Sequence, residues 1–247
     1  MPETFDKQTV LRHLGDLDRR DPRRRIFGAE VHQYRLNPPL PVAVIEAFEG
    51  RHGLSLPKDY RHFMTEIGDG GAGPYYGVLP FGKDDDDRPW EGDGLVGDPG
   101  KPFRHTSAWN LPDSFWGAEP DWPPETPVEE QDRLMEAWDQ ELEAHYWHPS
   151  IMDGAIPICH KGCALRQWLV GHGEQRGFVW DDLRVDQGGI APVLNAAGEP
   201  MTFSDWYMGW LDASLGEVGE TPCSTDAPSW RRTWRRLWGP GGFRGKG

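Results

Sequence analysis

The sequence has few of the features that are typical of a membrane-spanning or a secreted protein. Its hydrophobic fraction is 37%, and no stretch approaches the ~18 consecutive apolar residues of a membrane span. The first five residues, MPETF, are polar and acidic with no apolar segment behind them, so a secretory signal is not expected. Three cysteines, an odd number, argue against a disulfide framework and for a reducing compartment. We therefore expect a cytoplasmic protein.

Sequence signatures of catalysis are also missing. There is no Gly-x-Ser-x-Gly, no His-Glu-x-x-His and no phosphate-binding glycine loop. Four residues have the right chemistry for zinc, but their two cysteines are separated by three residues rather than the usual two; they are His145, His148, Cys159 and Cys163. We expect no enzyme activity, no metal and no cofactor, and keep a zinc-dependent hydrolase as a minor alternative.

Acidic residues, tryptophan, glycine and proline are abundant. The net charge is −14, and residues 84–143 alone carry 18 acidic and 4 basic side chains. Such a field repels nucleic acid and attracts basic proteins. Glycine and proline number 31 and 23, which predicts short elements joined by long loops. The 13 tryptophans offset the low aliphatic content, because each can bury a large area.

The first half of the chain is predicted to be mainly helical. Residues 1–40 are expected to form a peripheral segment that contains one short helix and an arginine-rich run at 19–25, which favours a solvated turn. Two helices then begin at Pro41 and Pro57. A glycine-rich turn at 68–71 leads to a candidate strand at 75–81.

The second half is predicted to contain a helix, a β meander and a last helix. Residues 82–127 are irregular, and residues 129–147 have the apolar spacing of a helix. Three short strands separated by Gly-containing turns follow from Gly154. A final helix begins near Thr202 and buries Phe203, Trp206, Trp210 and Leu211.

Several short motifs resemble the SUKH superfamily, the Smi/Knr-type domain. The first block is LPKDYRHFM at 56–64 followed by GDGG at 68–71. The second block is IPI at 156–158, GCA at 162–164, LVG at 169–171, GFVWDD at 177–182 and FSDWY at 203–207, then Trp210 and Leu211. Each motif is weak by itself, but their order and spacing resemble the family over residues 42–83 and 150–215. Asp69 stands where the family usually has asparagine, a residue that tolerates the same turn.

The resemblance implies an α+β fold, with helices packed on one side of a curved antiparallel sheet and no catalytic residues. The matched blocks place a SUKH-like domain at 41–217. The segment between them, at about 84–149, is longer and more acidic than the family leads us to expect, and we interpret it as an acidic irregular and helical insertion. By composition, residues 218–247 are a basic Trp/Arg-rich tail. The resemblance also implies a bacterial immunity protein that neutralises a polymorphic toxin of the nuclease or deaminase type. The alternative is a housekeeping regulator or scaffold that binds a cellular enzyme.

The acidic insertion is the predicted partner-binding surface. Aromatic side chains supply anchors at protein interfaces, and carboxylates complement a basic partner. The same tryptophans would equally serve to pin the loop to the domain. The run of four aspartates lacks the spaced pattern of a calcium loop. The predicted binding residues are Asp84, Asp85, Asp86, Asp87, Trp90, Glu91, Asp93, Trp109, Trp116 and Trp122. We expect a monomer that binds a basic protein, with no nucleic acid and no membrane span.

The C-terminal tail has a separate pattern. Trp230, Trp234 and Trp238 lie at helical spacing with arginines between them. Three interpretations stay open: contact with a membrane surface, contact with nucleic acid, and docking on the protein's own acidic face. The last is favoured because the two charges are covalently linked.

Overall fold

A computed structural model describes residues 5–84, 88–90 and 96–219 of the 247 residues. Among the predicted partner-binding residues, Asp85, Asp86, Asp87, Glu91 and Asp93 lie outside these described residues, as does the part of the Trp/Arg tail at 220–247. None of the helices found in the described ranges is long and apolar enough to cross a bilayer.

The centre of the fold is a four-stranded antiparallel sheet with the order β1-β2-β3-β4. Its strands are β1 (Ala155–Gly162), β2 (Leu165–Val170), β3 (Val179–Asp182) and β4 (Ile190–Pro192). Trp168 of β2 pairs with Trp180 of β3. Consecutive strands are neighbours in the sheet, so β1, β2 and β3 form the predicted three-stranded meander, and β4 adds a strand that was not predicted.

Helices cover one face of the sheet. They are α1 (Lys7–Arg20), α2 (Ala29–His32), α3 (Val42–His52), α4 (Lys58–His62), which continues as a π-helical turn at Phe63–Ile67, and α7 (Phe203–Gly219). The strand side chains in this core are Ile156, Ile158, Leu169 and Val179, packed with Tyr60, Phe63, Phe203 and Tyr207. Together with the antiparallel sheet, this arrangement confirms the predicted α+β fold.

A second apolar core covers the opposite face of the sheet. Neighbouring residues along a strand point to opposite faces, so Trp168, Val170, Trp180 and Ile190 face away from the helices and pack with Phe103, Ile151 and Met152. Of these covering residues, Phe103 belongs to the segment that the sequence marked as an insertion, and Ile151 and Met152 follow directly after it. Both faces of β2 and β3 are therefore covered, and each strand places apolar side chains on both sides of the sheet.

The rest of that segment forms a helical arm, which we define as residues 111–147. It contains α5 (Asp113–Trp116), α6 (Val128–Leu142) and a π-helical turn at Glu143–Trp147; a 3₁₀ turn at Pro149–Met152 then leads back into β1. The predicted helix at 129–147 is thus present, as one continuous helical segment with a π-helical end.

Two local expectations differ from the structure. The N-terminal segment is not wholly peripheral, because α1 packs against α7 and buries Val10, Leu14 and Leu17 in the first core. The apolar face of α1 is unfavourable in water, and packing against α7 buries it. In the candidate strand at 75–81, Val78 forms two isolated bridges, one to Gly71 and one to Cys159, in place of a regular strand. Glycines lie where these chain segments approach each other. Gly71 has φ of 100°, and a Cβ there would lie 2.4 Å from the carbonyl oxygen of Arg35.

Candidate partner-binding site

A buried arginine ties the arm to the sheet. Arg184 follows β3, is 5% exposed, and donates to both carboxylate oxygens of Asp182 at 2.8 and 2.7 Å. Its third hydrogen bond, of 2.8 Å, goes to the carbonyl oxygen of Tyr146 in the arm. The Tyr146 hydroxyl in turn accepts the backbone N–H of Gly189 at 3.0 Å. The C-terminal end of the arm is therefore held by charge-assisted bonds in a dry environment.

Aromatic contacts hold the rest of the arm. Phe115 of α5 packs against Trp138 of α6 with ring centroids 4.7 Å apart, and Trp116 meets Tyr146 edge to face at 4.9 Å. The indole N–H of Trp116 donates to the carbonyl oxygen of Leu111 at 3.2 Å. Since Trp138 is the buried residue of α6, most of this helix faces solvent.

Trp109 sits where the arm joins the body. Its backbone forms a two-bond bridge with Ile190 at the β4 edge, with N···O distances of 2.8 Å in both directions. Its half-buried ring lies 5.2 Å from His105 and 5.9 Å from Tyr146. Trp109 thus closes an exposed strand edge and keeps part of its ring at the surface.

An open groove along α6 is lined by four exposed carboxylates. Asp132, Glu136, Asp139 and Glu143 lie at spacings of four, three and four residues, which places them on one side of the helix. Met135 and Ala144 supply apolar surface between them. We call these four residues the acidic stripe. None of them forms an ion pair with any residue in the described ranges, whereas Arg133 pairs with Glu130 at 2.6 Å.

A second groove lies between α6 and the body of the protein. Its walls combine the apolar side chains of Trp109, Leu111, Phe115 and Ile151 with the polar side chains of Arg104, Glu141, His145 and Ser150. Among these, Glu141 and His145 pair at 3.3 Å. The last turns of the α6 segment therefore lie between the groove of the acidic stripe and a second groove of mixed polar and aromatic lining.

The other described candidates from the aspartate loop are buried. Asp84 is 2% exposed and accepts both the backbone N–H and the guanidinium of Arg88, at 2.8 and 2.9 Å. Trp90 is 4% exposed and packs against Phe81 and Phe48, with ring centroids 5.1 and 6.2 Å away. These two side chains pin the loop to the first core and are not available to a partner.

The remaining tryptophans of the predicted site do not converge on one point. Trp109 lines the second groove, while the half-buried Trp116 packs inside the arm. Trp122 is half-buried in the loop before α6. A binding role for these residues stays a prediction.

The four candidate zinc ligands have separate surroundings. His145 pairs with Glu141, and the Nδ1 of His148 lies 2.8 Å from the Ser150 hydroxyl. Cys159 is buried in β1, where its thiol donates to the carbonyl oxygen of Pro74 at 3.2 Å and burial raises its pKa. Cys163 is exposed at the tip of the β1–β2 hairpin. In the described part of the chain, no three His, Cys, Asp or Glu residues are grouped as metal ligands.

The acidic stripe was missed as a site, although its signal is present in the sequence. The helix at 129–147 was predicted, and the spacing of its carboxylates could have been read from the same pattern. The run of four aspartates at 84–87 is the more conspicuous acidic feature of the sequence, but abundance alone makes the spacing of its carboxylates uninformative.

The fold and this surface define an α+β protein whose prominent exposed feature is an acidic helical arm on a two-core body. The model of the SMI1 / KNR4 family (SUKH-1) matches residues 39–185, more than half of the chain. The chain therefore belongs to the SMI1 / KNR4 family, as the motifs predicted. No curated protein and no solved structure matches it significantly.

Proposed function

We propose that this protein is a non-catalytic immunity protein that binds a basic toxin of the nuclease or deaminase type through the acidic arm. The observation that carries the proposal is the acidic stripe, four exposed carboxylates without an ion-pair partner in the described residues. Family membership supports a binding role, because immunity and regulatory functions are what the SUKH resemblance implies. Binding would take place in the cytoplasm.

The stripe is costly for the helix that carries it. Like charges three or four residues apart destabilise a helix by about 0.2–0.5 kcal/mol per pair. Glu141 and Glu143 also lie near the C-terminal end of the helix, where the macrodipole disfavours negative charge, and the last turn of α6 has no basic residue. Folding gains nothing from this arrangement, so we attribute it to binding.

A polyanion-binding enzyme offers the matching surface. A cleft that accommodates phosphate is lined with Lys and Arg, so a row of carboxylates is complementary to it and accelerates association. In the adjacent mixed groove, Trp109, Leu111 and Phe115 would take an apolar anchor from the partner. Together the two grooves favour a protein partner over a small cation.

The test compares the native chain with D132K/E136K/D139K/E143K. Each is used to capture partners from the native host, and a captured protein is then measured for association rate at several salt concentrations and for toxicity with and without co-expression. We expect the native chain to bind a basic protein encoded beside it and to suppress its toxicity. The association rate should fall at least tenfold in the variant and steeply with salt.

A matched control makes the same charge change elsewhere. Glu66, Glu174, Asp186 and Asp212 are exposed and lie outside the arm, so their replacement by lysine should slow association much less. If the stripe variant binds and protects as well as the native chain, the arm is not the binding surface. Capture of a cellular enzyme with no toxin gene nearby would favour the alternative, a housekeeping regulator.

A further inference from the structure

A second surface, away from the arm, exposes apolar side chains. Phe27 and Val31 are 58% and 59% exposed, and Tyr76 is 37% exposed. The ring of Phe27 lies 5.2 Å from that of Tyr76, which stacks on His160 at 5.6 Å. We call Phe27, Val31 and Tyr76 the aromatic corner. Single exposed apolar residues are ordinary, but neighbouring ones mark interaction sites.

The corner is held rigidly. Gly28 has φ of 81°, and a Cβ there would lie 1.5 Å from the carbonyl oxygen of Tyr75. The backbone at Gly28, next to Phe27, therefore packs directly against the backbone at Tyr75, next to Tyr76. On the other side, the buried carboxylate of Asp21 accepts the N–H groups of Arg25 and Ile26 at 2.9 and 3.1 Å. Phe27 is therefore exposed because the fold holds it there.

Exposed arginines lie just before Phe27 in the chain. Arg20, Arg23 and Arg25 are exposed, and the carboxylate nearest to Arg25 is the buried Asp21, 3.8 Å away. Arg24 instead folds back over the ring of Tyr34, at 5.0 Å from its centroid. The sequence favoured a solvated turn for this run. In the structure, this run is followed by exposed apolar side chains, which a solvated turn would not require.

The C-terminal helix passes the same region. Trp210 of α7 lies 5.7 Å from the ring of His32 in α2. Burial and the Asp21 carboxylate raise the pKa of Tyr34, and Glu217, near the end of α7, adds to this increase. The chain then continues into the tail, whose sequence carries six basic residues and no acidic residue over 228–247.

We propose that the aromatic corner and its arginines dock this protein on an anionic lipid surface. Exposed apolar side chains that follow exposed arginines in the chain suit a bilayer interface, where the apolar groups enter the acyl boundary and the cations stay at the headgroups. Single-stranded nucleic acid fits less well, since Val31 has no ring and Tyr76 has a face covered by His160. This surface is separate from the partner-binding arm and does not depend on its function.

The experiment is co-sedimentation of the full-length chain with large vesicles. Vesicles of phosphatidylglycerol and phosphatidylcholine in equal parts are compared with vesicles of phosphatidylcholine alone, at low and high salt. We expect binding to the anionic vesicles only, weakened by salt. F27S/V31S and R20Q/R23Q/R25Q should each lower the partition coefficient at least tenfold, while F27W keeps native binding because it keeps an aromatic side chain.

V42S/V44S is the matched control, because these two valines of α3 are also exposed, at 39% and 42%. It should bind like the native chain. Equal binding to neutral vesicles, or no binding to either kind, overturns the proposal. So does native binding by F27S/V31S together with loss in R231Q/R232Q/R235Q/R236Q, which would assign the contact to the tail alone. Corner-dependent binding of a single-stranded oligonucleotide without vesicle binding would also overturn it.

Discussion

Aspartates of this protein have two different roles, and whether the side chain is exposed or buried decides which role it has. In the arm, Asp132 and Asp139 are exposed and line an open groove. Asp21, by contrast, has no exposed surface and accepts hydrogen bonds from Arg25, Ile26 and the hydroxyl of Tyr34. Burial by itself would raise the pKa of Asp21, but these hydrogen bonds more than offset it, so its pKa is lowered. Asp21 organises the loop that leads to Phe27.

Replacing Asp21 should therefore destabilise the fold, whereas replacing an arm aspartate should not. We expect Asp21→Ala to cost about 1–3 kcal/mol, the penalty for leaving buried donors without an acceptor. Because the folded-state pKa is depressed, the stabilisation is present above the unfolded pKa and is lost as pH falls through the folded value. Urea unfolding at pH 7 measures the cost, with Asp139→Ala as the control. A change below 0.5 kcal/mol in Asp21→Ala would contradict this role.

At the scale of elements, the arm is attached through few contacts. Its helices touch the body mainly through the aromatic cluster around Tyr146 and through Arg184. Arg184 connects β3, by way of Asp182, with the end of the arm. This connection was not predicted, since nothing in the local sequence indicates that an arginine after a strand is buried against a segment 38 residues away.

Arg184→Met should loosen the arm as well as destabilise the protein. Removing one partner of a buried ion pair leaves the other charge unpaired and costs about 3–5 kcal/mol. Hydrogen exchange should accelerate most in α6 if the arm opens before the sheet does. Arg133→Met is the control, because its pair with Glu130 is exposed and surface pairs contribute at most about 1 kcal/mol. Equal effects of the two substitutions would argue against a role of Arg184 in attaching the arm to the sheet.

For the whole molecule, the sheet lies between two cores, and each core borders a buried histidine. His32 lies beside Tyr34 and Trp210 on the helical side. His105 bonds the carbonyl oxygen of Ile151 at 3.1 Å beside the second core. Burial lowers the pKa of each to about 4, and for His32 the charge of Arg24 adds to this effect. Both histidines are neutral in the folded protein at pH 7.

Mild acid should consequently weaken the whole fold. Between about pH 6.5 and 4, the unfolded chain binds protons at these histidines that the folded chain does not, so the free energy of unfolding falls as pH falls. We expect a loss of about 1–3 kcal/mol for each histidine, with much of it below pH 6. Urea midpoints from pH 7.5 to 5 measure it. H32Q/H105Q should flatten the slope, whereas H148Q, at an exposed site, should leave the slope unchanged.

Much of the fold could be predicted because its signals are local. Pro41 and Pro57 directly precede helices, the strands lie between glycines, and the helix that buries Phe203 begins at the predicted place. The candidate site was predicted only as a region. Asp84 and Trp90 were chosen for their residue types, and both are buried, since burial depends on neighbours such as Phe48 and Arg88 that no local pattern specifies.

The amino-acid order alone therefore determined the α+β class, the family and the concentration of negative charge in one segment, because periodicity, turn residues and charge are properties of neighbouring positions. Tertiary packing decided the rest. It placed part of that segment on the second face of the sheet, left the carboxylates of α6 in an open groove, and brought Phe27 to Tyr76. Those outcomes depend on contacts between residues that are distant in the sequence. Such contacts decide which side chains are buried against a partner and which stay in water.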